Sequence, residues 1–137
     1  MSQENVEIAV QAWQAAVRRP KPDFTTVNAL YDPAHEFVSL MNPMEGGRVL
    51  RGAQGYREYL TEMGEALESW EARLEEATAI DEERVLLIWS GTLRGKRSGA
   101  PASQRGAAML TVRNGKVTRT ENYSSRDQAL EAANLKE

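Results

Sequence analysis

The chain has 137 residues, of which 41% are hydrophobic and 27% charged, with a formal net charge of −3, as expected of a single globular domain over residues 1–137 that buries a core without staples. With no cysteine and one histidine, disulfide scaffolds, thiolate metal sites, cysteine nucleophiles and multi-histidine metal centres are excluded. The acidic balance argues against a nucleic-acid partner, no apolar run approaches the roughly 18 residues of a membrane span, and the start MSQENVEIAV lacks the basic opening and apolar core of a signal peptide, so a cytoplasmic setting is expected.

Helical spacing of Val6, Val10, Trp13 and Val17 predicts a first helix over about Gln3–Arg19, capped by Ser2 and ended by Pro20 and Pro22. A short second helix is expected over about Asp23–Tyr31, with Asp23 as cap and Phe24, Val27 and Tyr31 on one side. The Asp32-Pro33 pair breaks it, and a strand follows over His35–Leu40, then a loop over Asn42–Gly47 and a brief return strand over Arg48–Arg51. A third helix is expected over about Ala53–Glu68, with an apolar stripe of Tyr56, Tyr59, Leu60, Met63 and Leu67 and a weak point at Gly64.

From Trp70 onward the period becomes extended. Strands are predicted over Trp70–Ile80, Val85–Arg94, Ala102–Arg113 and Lys116–Ser124. Asp81–Glu83 is a charged turn, Gly95–Pro101 a basic hairpin loop, and Asn114-Gly115 a tight hairpin turn whose two residues tolerate positive φ. Ser125, with Gln128 three residues on, has the spacing of a capping box for a short last helix ending near Ala133. Helices first and antiparallel strands later is an α+β order.

Several stretches carry a family resemblance: SQENVEIAVQAWQA at the start, ALYDPAHEF into the first strand, RVLRGAQGYREYL into the third helix, then DEERVLLIWSGTLRGKRSGAP and VRNGKVTRTENYSSRDQALEAANL. In their order and spacing they resemble the SnoaL-like proteins of the nuclear transport factor 2-like superfamily, over nearly the whole chain. The resemblance implies a cone-shaped half-barrel: a strongly curved, mostly antiparallel sheet wrapped around three N-terminal-side helices, with a pocket inside and a short C-terminal helix. Family membership alone does not fix function. The continuous apolar run Val85–Trp89 fits a strand covered on both faces. Val85, Leu87 and Trp89 would line the interior, while Leu86 and Ile88, with Met109, need a second cover; a homodimer through this outer face is the expected partner arrangement.

The isomerase branch of the superfamily uses a carboxylate base, a tyrosine and a neutral carboxylic acid. On the matched segments these positions fall on Ser39, Trp13 and Ala108, none of which can do that work. A ketosteroid isomerase is therefore not expected. The resemblance instead places Trp13, Tyr31, Phe37, Ser39, Tyr56, Tyr59, Trp89, Ala108 and Thr120 around a pocket suited to a small apolar molecule with one or two polar handles.

Two catalytic candidates remain. His35 is the side chain with a pKa near neutrality, and is either a general base or a satisfied strand-start residue. Asn122 either donates to a substrate carbonyl or bonds another side chain. Glu36 is expected to point away, paired with an arginine such as Arg48 or Arg51; a strand bulge could turn it inward as a base. Lys96, Arg97 and Arg105 form a basic loop tip, either solvated or guiding an anion. The acidic run Glu71, Glu75, Glu76, Asp81, Glu82 and Glu83 reads as a solvated edge. The chain has no GxGxxG, Walker loop or serine-hydrolase elbow, and neither cofactor nor metal is expected. Two readings follow: a ligand-binding protein, or a cofactor-independent lyase, isomerase, cyclase or hydrolase acting on a small hydrophobic carbonyl compound.

Overall fold

Alternation along the strands decides the architecture, because each strand shows one face to the helices and one away from them. A computed structural model describes residues 2–19, 21–39, 48–96 and 101–134. The elements are α1 (Ser2–Val17), α2 (Phe24–Leu30), β1 (Tyr31–Ser39), β2 (Arg48–Arg51), α3 (Gly52–Ala66), β3 (Leu67–Ala79), β4 (Arg84–Gly95), β5 (Pro101–Arg113), β6 (Lys116–Tyr123) and α4 (Arg126–Asn134). The six strands form one curved mixed sheet in the order β2-β1-β6-β5-β4-β3. Each neighbouring pair is antiparallel except β1 with β6, which is parallel.

The α+β expectation holds, and most boundaries fall within a few residues. Asp23 caps α2 by accepting from the Thr26 N–H. Asn114 and Gly115 take φ of 53° and 77°, the hairpin geometry their side chains permit. Ser125 Oγ accepts from the Gln128 N–H, while the Gln128 carboxamide reaches back to the Ser124 N–H rather than to Ser125. β1 differs most: it starts at Tyr31, not His35, and runs through Asp32-Pro33. Its pairing with β6 is irregular between Tyr31 and Glu36, and that irregularity absorbs the proline, which has no N–H to contribute to a ladder. The expected strand residue Leu40, the loop Asn42–Gly47 and Arg97 of the basic tip lie outside the described residues.

The main core lies between the concave face of the sheet and α1, α2 and α3. On α1 the deepest residues are Ala9, Ala12 and Ala16, with Trp13 beside them, whereas Val6, Val10 and Val17 flank this line and are half-buried. The buried stripe is thus rotated from the valine stripe onto alanines, whose small side chains let the helix approach the sheet closely. Val85, Leu87 and Trp89 point inward as expected, with Ala108 and Leu110 on the next strand.

A second cluster sits on the convex face, where Leu86, Ala107, Met109 and Tyr123 pack against Ala129 and Ala133 of α4. The cover that Leu86 and Met109 need is therefore supplied by α4 of the same chain. Ile88 is the one of the three outer residues left half-buried. Glu36 points outward too, bonded to Arg119 at 2.7 Å and to Arg51 at 3.4 Å. Arg105 meets Glu75 at 3.4 Å. Among the described residues, no helix is long and apolar enough to cross a membrane.

Candidate functional site

Inside the cone, the strands of the concave face and the helices do not close completely, leaving a cavity of about 100 Å³. Each wall comes from a recognisable sequence period. α1 contributes Trp13 and Val17, one helical turn apart; α3 contributes Tyr56, Tyr59, Leu60 and Met63 at the same spacing. The strands contribute alternate residues: Phe37 from β1, Trp89 from β4, Gln104 from β5, and Thr120 and Asn122 from β6, with Trp70 closing the β3 side. All three tryptophans of the chain are on this wall.

Trp89 lies across β5 at Gly106. A Cβ at that position would stand 2.4 Å from the indole Cζ2, so only glycine lets the ring lie flat there and form a smooth side of the cavity. Phe37, Tyr56 and Tyr59 stack along the opposite side, with Phe37 centred 5.0 Å from each tyrosine ring.

Of the residues expected around the pocket, Trp13, Phe37, Tyr56, Tyr59, Trp89, Thr120 and Asn122 are on the wall. Four are not. Tyr31 is fully buried behind Tyr56, with which it shares a hydrogen bond. Ala108 is inward-facing but belongs to the packed core. Ser39 stands on the inward side of β1, opposite Asn122 in register, yet beyond the wall.

His35 is the fourth. It is completely buried, held edge-on to Tyr31 at 4.9 Å and beside Tyr56 at 5.0 Å. Its Nε2 is hydrogen-bonded to Thr120 Oγ1 at 2.8 Å, and Nδ1 is buried with no partner. Burial pulls its pKa down to about 4, against a weaker opposite pull from Asp32. The imidazole is therefore neutral near pH 7 and stands behind the wall residues Thr120 and Tyr56. Burial likewise pushes the Tyr56 hydroxyl well above its ordinary value, followed by the effects of Tyr31 and Tyr59.

Five wall residues escaped the sequence reading: Val17, Leu60, Met63, Trp70 and Gln104. The signal for Gln104 was present, since it is on the same face of β5 as Gly106 and Ala108. Leu60 and Met63 belong to the predicted α3 stripe. Trp70 carried the same signal as Gln104, since it is on the same face of β3 as Ala72 and Leu74, which pack against the core. Asn122 is half-buried on the cavity wall, and its side chain makes no hydrogen bond among the described residues. Among the described residues no group of three or more acidic or histidine side chains is placed to hold a metal ion.

The fold has close counterparts among solved structures. TerC, crystallised with polyporic acid, matches with a TM-score of 0.74 and 21% identity, covering 93% of this chain and 96% of that one. An NTF2-like protein from Burkholderia xenovorans LB400 matches with a TM-score of 0.72 and 24% identity, over 96% of this chain and 97% of its own. A putative SnoaL-like polyketide cyclase from Jannaschia sp. CCS1 matches with a TM-score of 0.74 and 13% identity, over 96% and 92%. At these identities the likeness shows a shared fold. A search of curated proteins finds no match. The model of the SnoaL-like domain matches residues 10–120, which include every wall residue of the cavity except Asn122, and the chain belongs to the SnoaL-like domain family.

Proposed function

We propose that the cone cavity binds a small, flat, mostly apolar molecule bearing a polar handle, and that binding is this chain's primary role. The observation that carries the reading is the wall itself: three tryptophans, Phe37 and two tyrosines enclose the space, with Thr120, Asn122 and Gln104 as its hydrogen-bonding groups. Membership of the SnoaL-like family supports a ligand-binding or cyclase-type role. The cavity of about 100 Å³ is smaller than the roughly 150 Å³ void that accepts benzene in another protein. Ligand entry therefore displaces a wall side chain, and Met63, unbranched and half-buried, is the one built to yield.

The alternative is cofactor-independent lyase, isomerase, cyclase or hydrolase chemistry on a small carbonyl compound. Binding is favoured over it because the ionisable groups among the described wall residues are Tyr56 and Tyr59, while neutral His35 stands behind Thr120. In a catalytic version, Asn122 would hold the substrate carbonyl and proton movement would have to run through Thr120 to His35.

Pairing of two copies through the outer sheet face remains part of the proposal on a narrower basis. It rests on half-buried Ile88 and Ile80 rather than on Leu86 and Met109, which α4 already covers. Native mass spectrometry gives the mass of two chains if this is right and of one chain if it is wrong, and reports any retained ligand.

The direct test is titration with 2-naphthamide, a flat apolar probe with one amide, followed by NMR. The three indole N–H signals and the Asn122 side-chain amide should shift together. Asn122→Leu should weaken binding about 3–10-fold, the equivalent of one neutral hydrogen bond. Shifts confined to residues outside the cavity would sink the reading.

A further inference from the structure

Arg19 follows the C-terminus of α1 and folds back over the rim of the cone. Its guanidinium carbon lies 4.2 Å from the centre of the Trp70 ring, the same ring that closes the β3 side of the cavity. Nη1 stands 3.6 Å from where a Cβ of residue 64 would be, so the guanidinium packs against α3 at ordinary contact distance. The two residues it spans thus flank the cavity, since Met63, next to Gly64, is also on the wall.

All three guanidinium nitrogens are shielded from solvent, and none has a hydrogen-bond partner among the described residues. This is an unusual state. Arginine stays charged and offers five N–H donors, and removing such a group from water without an acceptor is strongly unfavourable. Stacking on an indole compensates only in part. The other arginines of the neighbourhood differ: Arg18 pairs with Asp23 at 3.8 Å, and Arg73 is exposed. Arg18, Arg19 and Arg73 share an external groove with Glu71, and the walls of that groove at Trp13 and Val17 are also walls of the cavity. The groove therefore carries a positive balance of charge up to the rim of the apolar chamber, which favours approach of an anion.

We propose that Arg19 is the anion-recognition group of the cavity, and that the ligand is a flat apolar carboxylate whose ring enters the chamber while its carboxylate is received by the Arg19 guanidinium beside Trp70. The inference rests on the binding role argued above. A carboxylate meets the guanidinium fork with two parallel charge-assisted hydrogen bonds. It supplies acceptors that the described residues do not give these N–H groups. Rotation of Arg19 about its own flexible stem, with displacement of Met63, is the movement required.

The experiment compares 2-naphthoate with 2-naphthamide, which share a ring system and differ in charge, by isothermal titration calorimetry. Wild type should bind the carboxylate at least about 10-fold more tightly than the amide. Arg19→Gln should abolish that preference by lowering carboxylate affinity far more than amide affinity, and Arg19→Lys should keep part of it. Thermal melting confirms that each variant is folded. Equal affinities for the two probes in wild type, or equal losses for both in Arg19→Gln, would overturn the role of Arg19 while leaving the cavity reading intact. Failure of both probes to bind wild type would overturn both.

Discussion

The His35 imidazole is hydrogen-bonded through Nε2 to Thr120 Oγ1 at 2.8 Å, and Thr120 in turn faces the cavity. This pair separates the one histidine of the chain from any ligand by a single side chain. It also makes the histidine a pH-sensitive part of the core. Burial lowers its pKa from 6.5 to about 4, so the unfolded chain binds more protons than the folded one between those values. The neutral form's contribution is complete above pH 6.5 and is lost as pH falls toward 4. The shift corresponds to about 3 kcal/mol at full extent. Wild type should therefore lose melting temperature steeply between pH 6.5 and 4.5, and His35→Gln should show a shallower slope over that window. Parallel slopes would mean that His35 titrates normally.

Gly106 beneath Trp89 gives a sharper steric prediction. A methyl at residue 106 would sit 2.4 Å from the indole, forcing the ring off its rotamer or bending β5. Gly106→Ala should destabilise the fold by about 1–3 kcal/mol, as overpacking of a tight contact does. It should also change the near-ultraviolet circular dichroism of Trp89. An unaltered spectrum and melting temperature would refute the flat stacking.

Gly64 predicts the opposite sign. It lies in an exposed stretch of α3, and an added Cβ would meet Arg19 Nη1 at 3.6 Å, ordinary contact. Alanine removes the entropic penalty of glycine in a helix, worth about 0.5–1 kcal/mol. Gly64→Ala should raise the melting temperature by a few degrees, and a fall would show that Arg19 needs more room than the geometry indicates.

Ser125 caps the helix that covers the outer sheet face. Ser125→Ala should weaken α4 by about 1 kcal/mol. Hydrogen exchange at Leu86 and Met109 should be unchanged, because their amides belong to the β4–β5 ladder, while exchange in α4 accelerates. Equal protection of α4 in both proteins would show that packing of Ala129 and Ala133 alone holds the helix.

Local rules carried most of the architecture. The two-residue period of the strands sorted Phe37, Leu87, Trp89, Thr120 and Asn122 inward and Glu36, Leu86 and Met109 outward, and each is found on that side. The turn at Asn114-Gly115 and the caps at Asp23 and Ser125 follow from the chemistry of a few adjacent residues. Seven of the candidates that the family resemblance set around a pocket are on its wall, because a strand or helix face repeats once its register is given.

The rest required the chain to be folded. Whether an inward residue reaches the cavity or stops in the core depends on sheet curvature, which left Ala108 packed and Ser39 beyond the wall. The irregular parallel pairing of β1 with β6 set His35 behind Thr120. The docking of α4 on the convex face supplied a cover that the strands alone could not reveal. The stacking of Arg19 on Trp70 joins residues that are far apart in sequence and share no periodic pattern. Periodicity is encoded within a few neighbouring residues, so the sequence by itself determined faces, turns and caps; contacts between distant segments depend on how those faces meet, and only the tertiary structure decided them.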